Sequence, residues 1–467
     1  MELFQSVIDS ANNILWSYIM IAALLACAIY FTIRSRFVQF RMIGEMCRQL
    51  ISSSERHLDD GTRHISPLQA FLVSLASRVG TGNLAGVATA IAVGGPGAVF
   101  WMWIIAIVGA ANAFVESTLA QLYKQRIADS YIGGPAYYIL KGLKCRPMAI
   151  LFSILTILTF GYAFNTVQSN TICDAMNNAF GIDHAVMGVI LTIATLVIIF
   201  GGIQRIAKVS SVVVPIMALG YLFLAIVVVV INISHLPEVI TTIVRSAFGS
   251  EQVVGGGMGA AVMQGIKRGL FSNEAGMGSA PNAAATASTS HPVKQGLIQT
   301  LGVFTDTLVI CSCTAFIILI SGVDTSTLDG VQLTQEALTA EIGGVGRIFV
   351  ALAILFFAFS SIFGNYYYGE ANIRFITKST TILTLYRLTV VAIVMCGSLM
   401  SLKMVWSLAD ITMGLMTLCN LVAIALLGRR AMLLLEDYNH QRRNGKNPVF
   451  HKADIAEIAD DESIECW

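Results

Sequence analysis

Charge is scarce in this chain. Asp, Glu, Lys and Arg make up 12% of its 467 residues, and 55% are hydrophobic. Soluble proteins average roughly 25% charged residues. With a mean hydropathy of +0.72, this composition excludes an ordinary soluble domain and points to a polytopic membrane protein. The net charge is +1, so bulk charge selects no nucleic-acid partner.

Three further absences narrow the class. There is no Gly-x-x-x-x-Gly-Lys phosphate loop, which argues against an ATP-driven pump. The seven histidines (His57, His64, His184, His235, His291, His440 and His451) fall in loops, interfaces or the tail. No histidine-based enzyme centre is therefore expected at the membrane midplane. The nine cysteines are scattered without a Cys-x-x-Cys pair, and read as small buried hydrophobes. Nor is a cleavable leader apparent. The first apolar run, about 14–33, is long enough to span and follows Glu2 and Asp9 instead of basic residues. A retained helix with its N-terminus outside is expected.

A membrane helix needs about 20 mainly apolar residues. Eleven such segments are read, near 12–33, 66–92, 97–120, 147–179, 184–202, 207–233, 255–288, 296–321, 345–371, 381–400 and 404–428. The stretch 132–146 reads as an interfacial turn and short helix. The chain from about 436 reads as a hydrophilic, partly ordered cytoplasmic extension. Lys and Arg then segregate to alternate loops and the tail. The poorer side holds only Arg245, Arg347 and Lys403. With eleven spans, the N-terminus is outside and the C-terminus cytoplasmic.

Two stretches inside these spans break the helical pattern. Ala76-Ser77-Arg78-Val79-Gly80-Thr81-Gly82-Asn83-Leu84-Ala85-Gly86 lies in the second span. Arg268-Gly269-Leu270-Phe271-Ser272-Asn273-Glu274-Ala275-Gly276-Met277-Gly278 lies in the seventh. Arg, Asn, Ala and Gly recur in both at one constant offset. Glycine weakens a helix interior by roughly 1 kcal/mol relative to alanine, and an intramembrane charge costs roughly 2.5–3.5 kcal/mol on insertion scales. Paired interruptions of this kind mark a transporter's binding site. They divide the chain into 1–65, a first five-helix unit 66–233, an external connector 234–254, a second unit 255–428 of opposite orientation, and the tail 429–467. The competing reading is that the glycines serve close helix packing, which would not call for Arg, Asn and Glu at the same depth.

Freed backbone groups at such breaks suit ligands: N–H groups a substrate carboxylate, carbonyls a Na⁺ ion. Other polar groups could complete a site. Phe164, Asn165, Gln168 and Ser169 lie at helical spacing. Ser360-Ser361 follows an aromatic run. Trp406 and Asp410 share a face, where Asp410 would meet a substrate amine or outer water. Asp306 and Glu274 are candidate functional acids, or counter-ions to Arg78, Lys267 and Arg268. Glu116 and Glu370 are expected at solvated cytoplasmic helix ends.

These residues resemble a known family. The run Arg78–Ala92, continuing into Gly94-Gly95-Pro96-Gly97-Ala98-Val99-Phe100-Trp101-Met102-Trp103, is similar to the signature of the alanine or glycine:cation symporters. So are Gly133-Gly134-Pro135-Ala136-Tyr137-Tyr138, Gly269–Pro281 and Tyr367-Tyr368-Gly369-Glu370. The resemblance implies an all-α protein with the leucine-transporter fold: two inverted five-helix repeats plus one N-terminal helix. It implies import of alanine, glycine or a similar small neutral amino acid through a prokaryotic plasma membrane, driven by Na⁺ and without an organic cofactor. It also implies a Na⁺ site from the carbonyls of Ala76, Val79 and Phe357 and the hydroxyls of Ser360 and Ser361. The substrate would meet the backbone of Gly80, Thr81, Gly82 and Asn83, enclosed by Gln168, Asn273, Phe164 and Phe271. Arg78 departs from the wider fold, where a small residue is usual; it would stand in for a second cation. An H⁺-coupled or other small-solute symporter is the alternative. A channel, the reading from another class, would call for repeated carbonyl or charge rings.

Overall fold

The computed structural model describes residues 2–52, 65–127, 130–200, 202–249 and 257–467. Arg56, Arg63, His57 and His64 of the basic loop, and 250–256 of the connector and seventh span, lie outside the described residues.

The chain is mostly helical because long apolar runs in a bilayer must satisfy every backbone group internally. Among the described residues, eight helices are long and apolar enough to cross a membrane: Gln5–Arg34, Gly97–Leu122, Arg146–Phe180, Val212–Ile231, Pro292–Ser321, Gly344–Ile376, Thr380–Leu399 and Leu402–Arg443. His184–Ile199 is a shorter apolar helix. The two remaining expected spans, 66–92 and 255–288, are interrupted.

Helix ends follow local chemistry. Ser66 and Gln69 form a reciprocal capping box with Pro67 in the first turn, satisfying donors that the first turn leaves open. Asp183, Ser379 and Ser401 cap the helices that follow them. Between the third and fourth expected spans, Gln125–Ile127 and Ser130–Ile132 pair as a short antiparallel hairpin, and Pro135–Gly142 is the interfacial helix.

Two ends differ from expectation. The first helix begins at Glu2 instead of near 12, since Gln5, Asp9 and Asn12 find partners on the last helix. Asn12 donates to the Ser407 carbonyl at 2.9 Å, and Asp9 pairs with Lys403 at 3.1 Å. The tail, expected to be partly ordered, packs onto the bundle. Its helix runs to Arg443, and Phe450, Ile458 and Ile464 beyond it are buried. Three apolar side chains at separated positions supply one buried face within a charged stretch. The Trp467 indole donates to the Gln121 carbonyl at 3.0 Å and lies 4.5 Å from the Lys124 ammonium. Lys124 is 2% exposed. Burial pushes its pKa down to about 7.

Candidate functional site

The first broken helix stops at Arg78. Val79 is extended (φ −79°, ψ 94°), and helical geometry resumes at Thr81 (φ −60°, ψ −29°), with a wide π turn Gly82–Gly86 leading into Val87–Gly94. Side chains hold the gap open. The Gly80 N–H would reach the Ala76 carbonyl in a continuous helix; instead it donates to Asn83 Oδ1 at 2.9 Å. The Thr81 N–H donates to Gln168 Oε1 at 3.2 Å, and the Asn83 N–H turns to the Gly80 carbonyl. The Ala76 and Val79 carbonyls are thereby released from the helical ladder.

What they face is Ser361. Its hydroxyl lies 2.9 Å from the Ala76 oxygen, 3.3 Å from that of Val79 and 3.0 Å from that of Phe357. Ser360 Oγ lies 2.8 Å from the Phe357 oxygen. The structure thus gathers five neutral oxygens, from three carbonyls and two hydroxyls, between the first broken helix and Gly344–Ile376. Gly80 lets them approach. A methyl group there would stand 2.3 Å from Ser361 Oγ and 3.0 Å from Gln168 Oε1.

The second broken helix stops at Asn273. Glu274 is left-handed (φ 56°), as are Gly276 and Gly278 (both φ 85°), before a short helix Ala280–Ala284. Glu116 holds this gap. One carboxylate oxygen accepts from the Gly276 N–H at 3.1 Å, the other from the Gly278 N–H at 3.0 Å and from Asn420 Nδ2 at 2.8 Å. The breaks touch. Asn83 Nδ2 donates to Ser272 Oγ at 3.0 Å and to Asp306 Oδ1 at 2.7 Å, and a methyl on Gly82 would lie 3.1 Å from the Ser272 Cα. Beside them runs an aromatic wall: Phe160 and Phe164 at 4.7 Å between centroids, Phe164 and Phe271 at 4.3 Å, Phe271 and Trp406 at 4.7 Å. Among the described residues, Thr81 Oγ1 and Asn273 Nδ2 are buried polar atoms without a partner.

The arrangement is a polar node in an apolar bundle. Residues 1–452 match the sodium:alanine symporter family. The chain belongs to that family. The probable sodium/glutamine symporter GlnT of Bacillus subtilis is 51% identical over all of this chain and 96% of its own length. The amino-acid carrier protein AlsT of the same organism is 52% identical over 99% and 98%. The sodium/alanine symporter AgcS of Methanococcus maripaludis is 36% identical over 94% and 98%. Among solved structures, MhsT in complex with L-phenylalanine superposes with a TM-score of 0.55 at 12% identity, covering 80% of this chain and 99% of that one. A manganese transporter of Eremococcus coleocola gives 0.52 at 16% identity, covering 81% of each. At such identities the likeness is of fold, the leucine-transporter fold.

The symporter is a multi-pass membrane transporter and not an enzyme. Of the residues singled out from its sequence, Ala76, Val79, Phe357, Ser360 and Ser361 lie together. Gly80, Thr81, Gly82, Asn83 and Gln168 surround the first gap; Phe271 of the second broken helix lies against Gly82, Phe164 packs on Phe271, and Asn273 ends that second helix. The Gly80 and Thr81 amides, expected to face a substrate, are held by Asn83 and Gln168.

Several expected charge partners are corrected. Lys267 and Arg268 pair with Asp410, at 3.4 Å and 2.8 Å, and not with Asp306 or Glu274. Asp410 therefore faces the chain's own cations and is buried from open water. Asp306 accepts from Asn83, Ser272 and Thr307; Glu274 accepts from Ser77 at 2.8 Å and Ser279 at 2.6 Å. Arg78 donates to the Gln299 carbonyl at 3.2 Å and makes no ion pair among the described residues; its Nε and Nη2 are buried without partners. Glu116 is fully buried, not solvated. Glu370 is buried too, between Arg374 at 2.7 Å and Arg387 at 3.6 Å. Asn420, and Asn365, which accepts from Ser77 at 2.9 Å and donates to Asn165 at 3.2 Å, escaped notice, because a small polar residue in a helix carries no pattern of its own until a partner is known.

Proposed function

We propose that the symporter carries a small neutral amino acid, such as alanine or glycine, inward with one Na⁺. The observation that carries this reading is the double use of the first break. The break presents released carbonyls to Ser361 and, beside them, amides that Asn83 and Gln168 cap. Five neutral oxygens suit a hard monovalent cation. The capped amides suit a carboxylate that displaces one side-chain oxygen. Thr81 Oγ1 and Asn273 Nδ2 would gain their missing partners from the substrate. The wall of Phe164, Phe271 and Trp406 would bound the substrate side chain. Arg78, buried and without a carboxylate partner, takes the place of a second cation, hence one Na⁺ per substrate. A measured ratio of two would count against that assignment.

Alternating access is the mechanism we infer. The eight long helices, His184–Ile199 and the two broken helices are read as eleven crossings, with 66–233 and 255–428 as oppositely oriented units. The N-terminus lies outside and the arginine-rich end in the cytoplasm. Arg268, Asp410 and Trp406 then close the outer path, with the Arg268 guanidinium 4.1 Å from the Trp406 ring. A ligand shifts the populations of outward and inward forms only through its differential affinity for them. The gathering of oxygens from two separate elements gives Na⁺ that leverage.

The test is uptake of radiolabelled alanine into proteoliposomes with and without an inward Na⁺ gradient. Gradient-dependent accumulation is expected, and its absence overturns Na⁺ coupling. The 51% identity to the probable sodium/glutamine symporter GlnT favours one second reading, glutamine as substrate. Competition of alanine uptake by glutamine decides between them.

A further inference from the structure

At the arginine-rich end of the bundle, a cavity of about 350 Å³ opens between the first and last helices. Arg34, Arg36, Arg41 and Arg443 line it, with His440 and a single carboxylate, Glu436. Nearby arginines are neutralised differently. Arg442 pairs with Glu45 at 3.0 Å, Arg429 with Glu457 at 2.8 Å, and Arg430 with Asp461. Among the described residues, the four cavity arginines make no ion pair, and neither does Glu436. Arg41 donates to the Ser35 carbonyl at 3.4 Å. Burial pushes its pKa down, and Arg36 and Arg443 beside it push the same way. All four arginines are exposed, so their charges share one cavity that a ligand can reach from outside. Arg36 and Phe37 sit in the left-handed region, φ 53° and 57°, and this turn folds Arg41 back toward Arg34.

We propose that this cavity binds a phosphate anion, the group shared by anionic lipid headgroups and free inorganic phosphate. Guanidinium forks match phosphate oxygens bidentately. The surroundings favour the lipid as source. Ile29, Tyr30, Ile33, Phe37 and Phe40 are exposed on the same segment, offering acyl chains an apolar wall beside the charged cavity. Basic pockets between helices at the cytoplasmic side suit such headgroups. Nothing in the transport reading uses these residues.

The test measures lipid adducts of the purified full chain by native mass spectrometry. The arms are phosphatidylglycerol, phosphatidylcholine, and sodium phosphate against sodium chloride. Tighter binding of phosphatidylglycerol than phosphatidylcholine is expected. Arg36→Gln with Arg41→Gln should weaken it by roughly thirtyfold. Arg429→Gln with Arg430→Gln removes the same charge outside the cavity and should leave it nearly unchanged. Glu436→Gln should tighten it, and carries the test alone if the double cavity variant fails to fold. Phosphate binding without lipid preference would support the site with the free anion as its ligand. Binding of neither anion, equal loss in both double variants, or no gain in Glu436→Gln would overturn the proposal.

Discussion

Substituting Gly80 by alanine tests the proposed cation site most directly. The added methyl would stand 2.3 Å from Ser361 Oγ, 3.0 Å from Gln168 Oε1 and 3.2 Å from Ser361 Cβ. The first distance is about 1 Å inside ordinary contact. Ser361 can escape only by rotating its hydroxyl away from the Ala76, Val79 and Phe357 carbonyls. Overpacking of this kind costs about 1–3 kcal/mol, and a hydrogen bond to a charged group contributes about 1.5–3 kcal/mol. If Na⁺ needs Ser361 where it stands, the penalty falls mainly on the Na⁺-bound form. At 1.4 kcal/mol per decade, half-saturating Na⁺ should rise by roughly ten- to a hundredfold. The assay is Na⁺ activation of alanine uptake in proteoliposomes at matched protein content, with a thermal midpoint to report folding. Adding Ser361→Gly relieves the overlap, so the midpoint should recover while Na⁺ activation does not. A folded Gly80→Ala protein with unchanged Na⁺ activation would refute the placement of the ion at Ser361.

Three other expectations are open to measurement. Asn83→Ala frees the Gly80 amide to bond with the Ala76 carbonyl, closing the gap; uptake should fall more than tenfold, and retention of full uptake would show that the side-chain cap is dispensable. Asp410→Asn leaves two buried cations without their counter-charge, which costs about 3–5 kcal/mol, so the folded yield should drop, with partial recovery in Asp410→Asn/Lys267→Met; an undiminished yield would mean that water already screens the pair. Lys124 has its pKa lowered from 10.5 to about 7 by burial, so its attraction to the Trp467 ring is present below pH 7 and lost above it. The fluorescence difference between the wild type and Trp467→Phe should then titrate near pH 7 and go flat in Lys124→Met.

How much of this was legible beforehand varies with the range of the interaction. The first break could be read because it is spelled locally: Gly80 and Gly82 weaken a helix where they stand, and Asn83 offers its cap three residues away. The second was legible for the same reason at Gly276 and Gly278. The charges were visible as anomalies, but their partners were not. Nothing near Arg268 in sequence distinguishes Asp410, which lies on the last membrane helix, from Asp306 or Glu274, which lie closer along the chain. The buried role of Glu116 was equally hidden, since it depends on where Gly276, Gly278 and Asn420 arrive.

The sequence alone determined a membrane bundle, the positions of its interruptions and the family to which it belongs. These rest on hydropathy and backbone propensity, which act over one or two helical turns. Only the tertiary structure decided that Ser361 meets the carbonyls of Ala76 and Val79, that the breaks meet at Asn83 and Ser272, and that the tail closes over Lys124. A buried polar group takes whichever partner packing delivers, and packing is settled by the whole bundle at once.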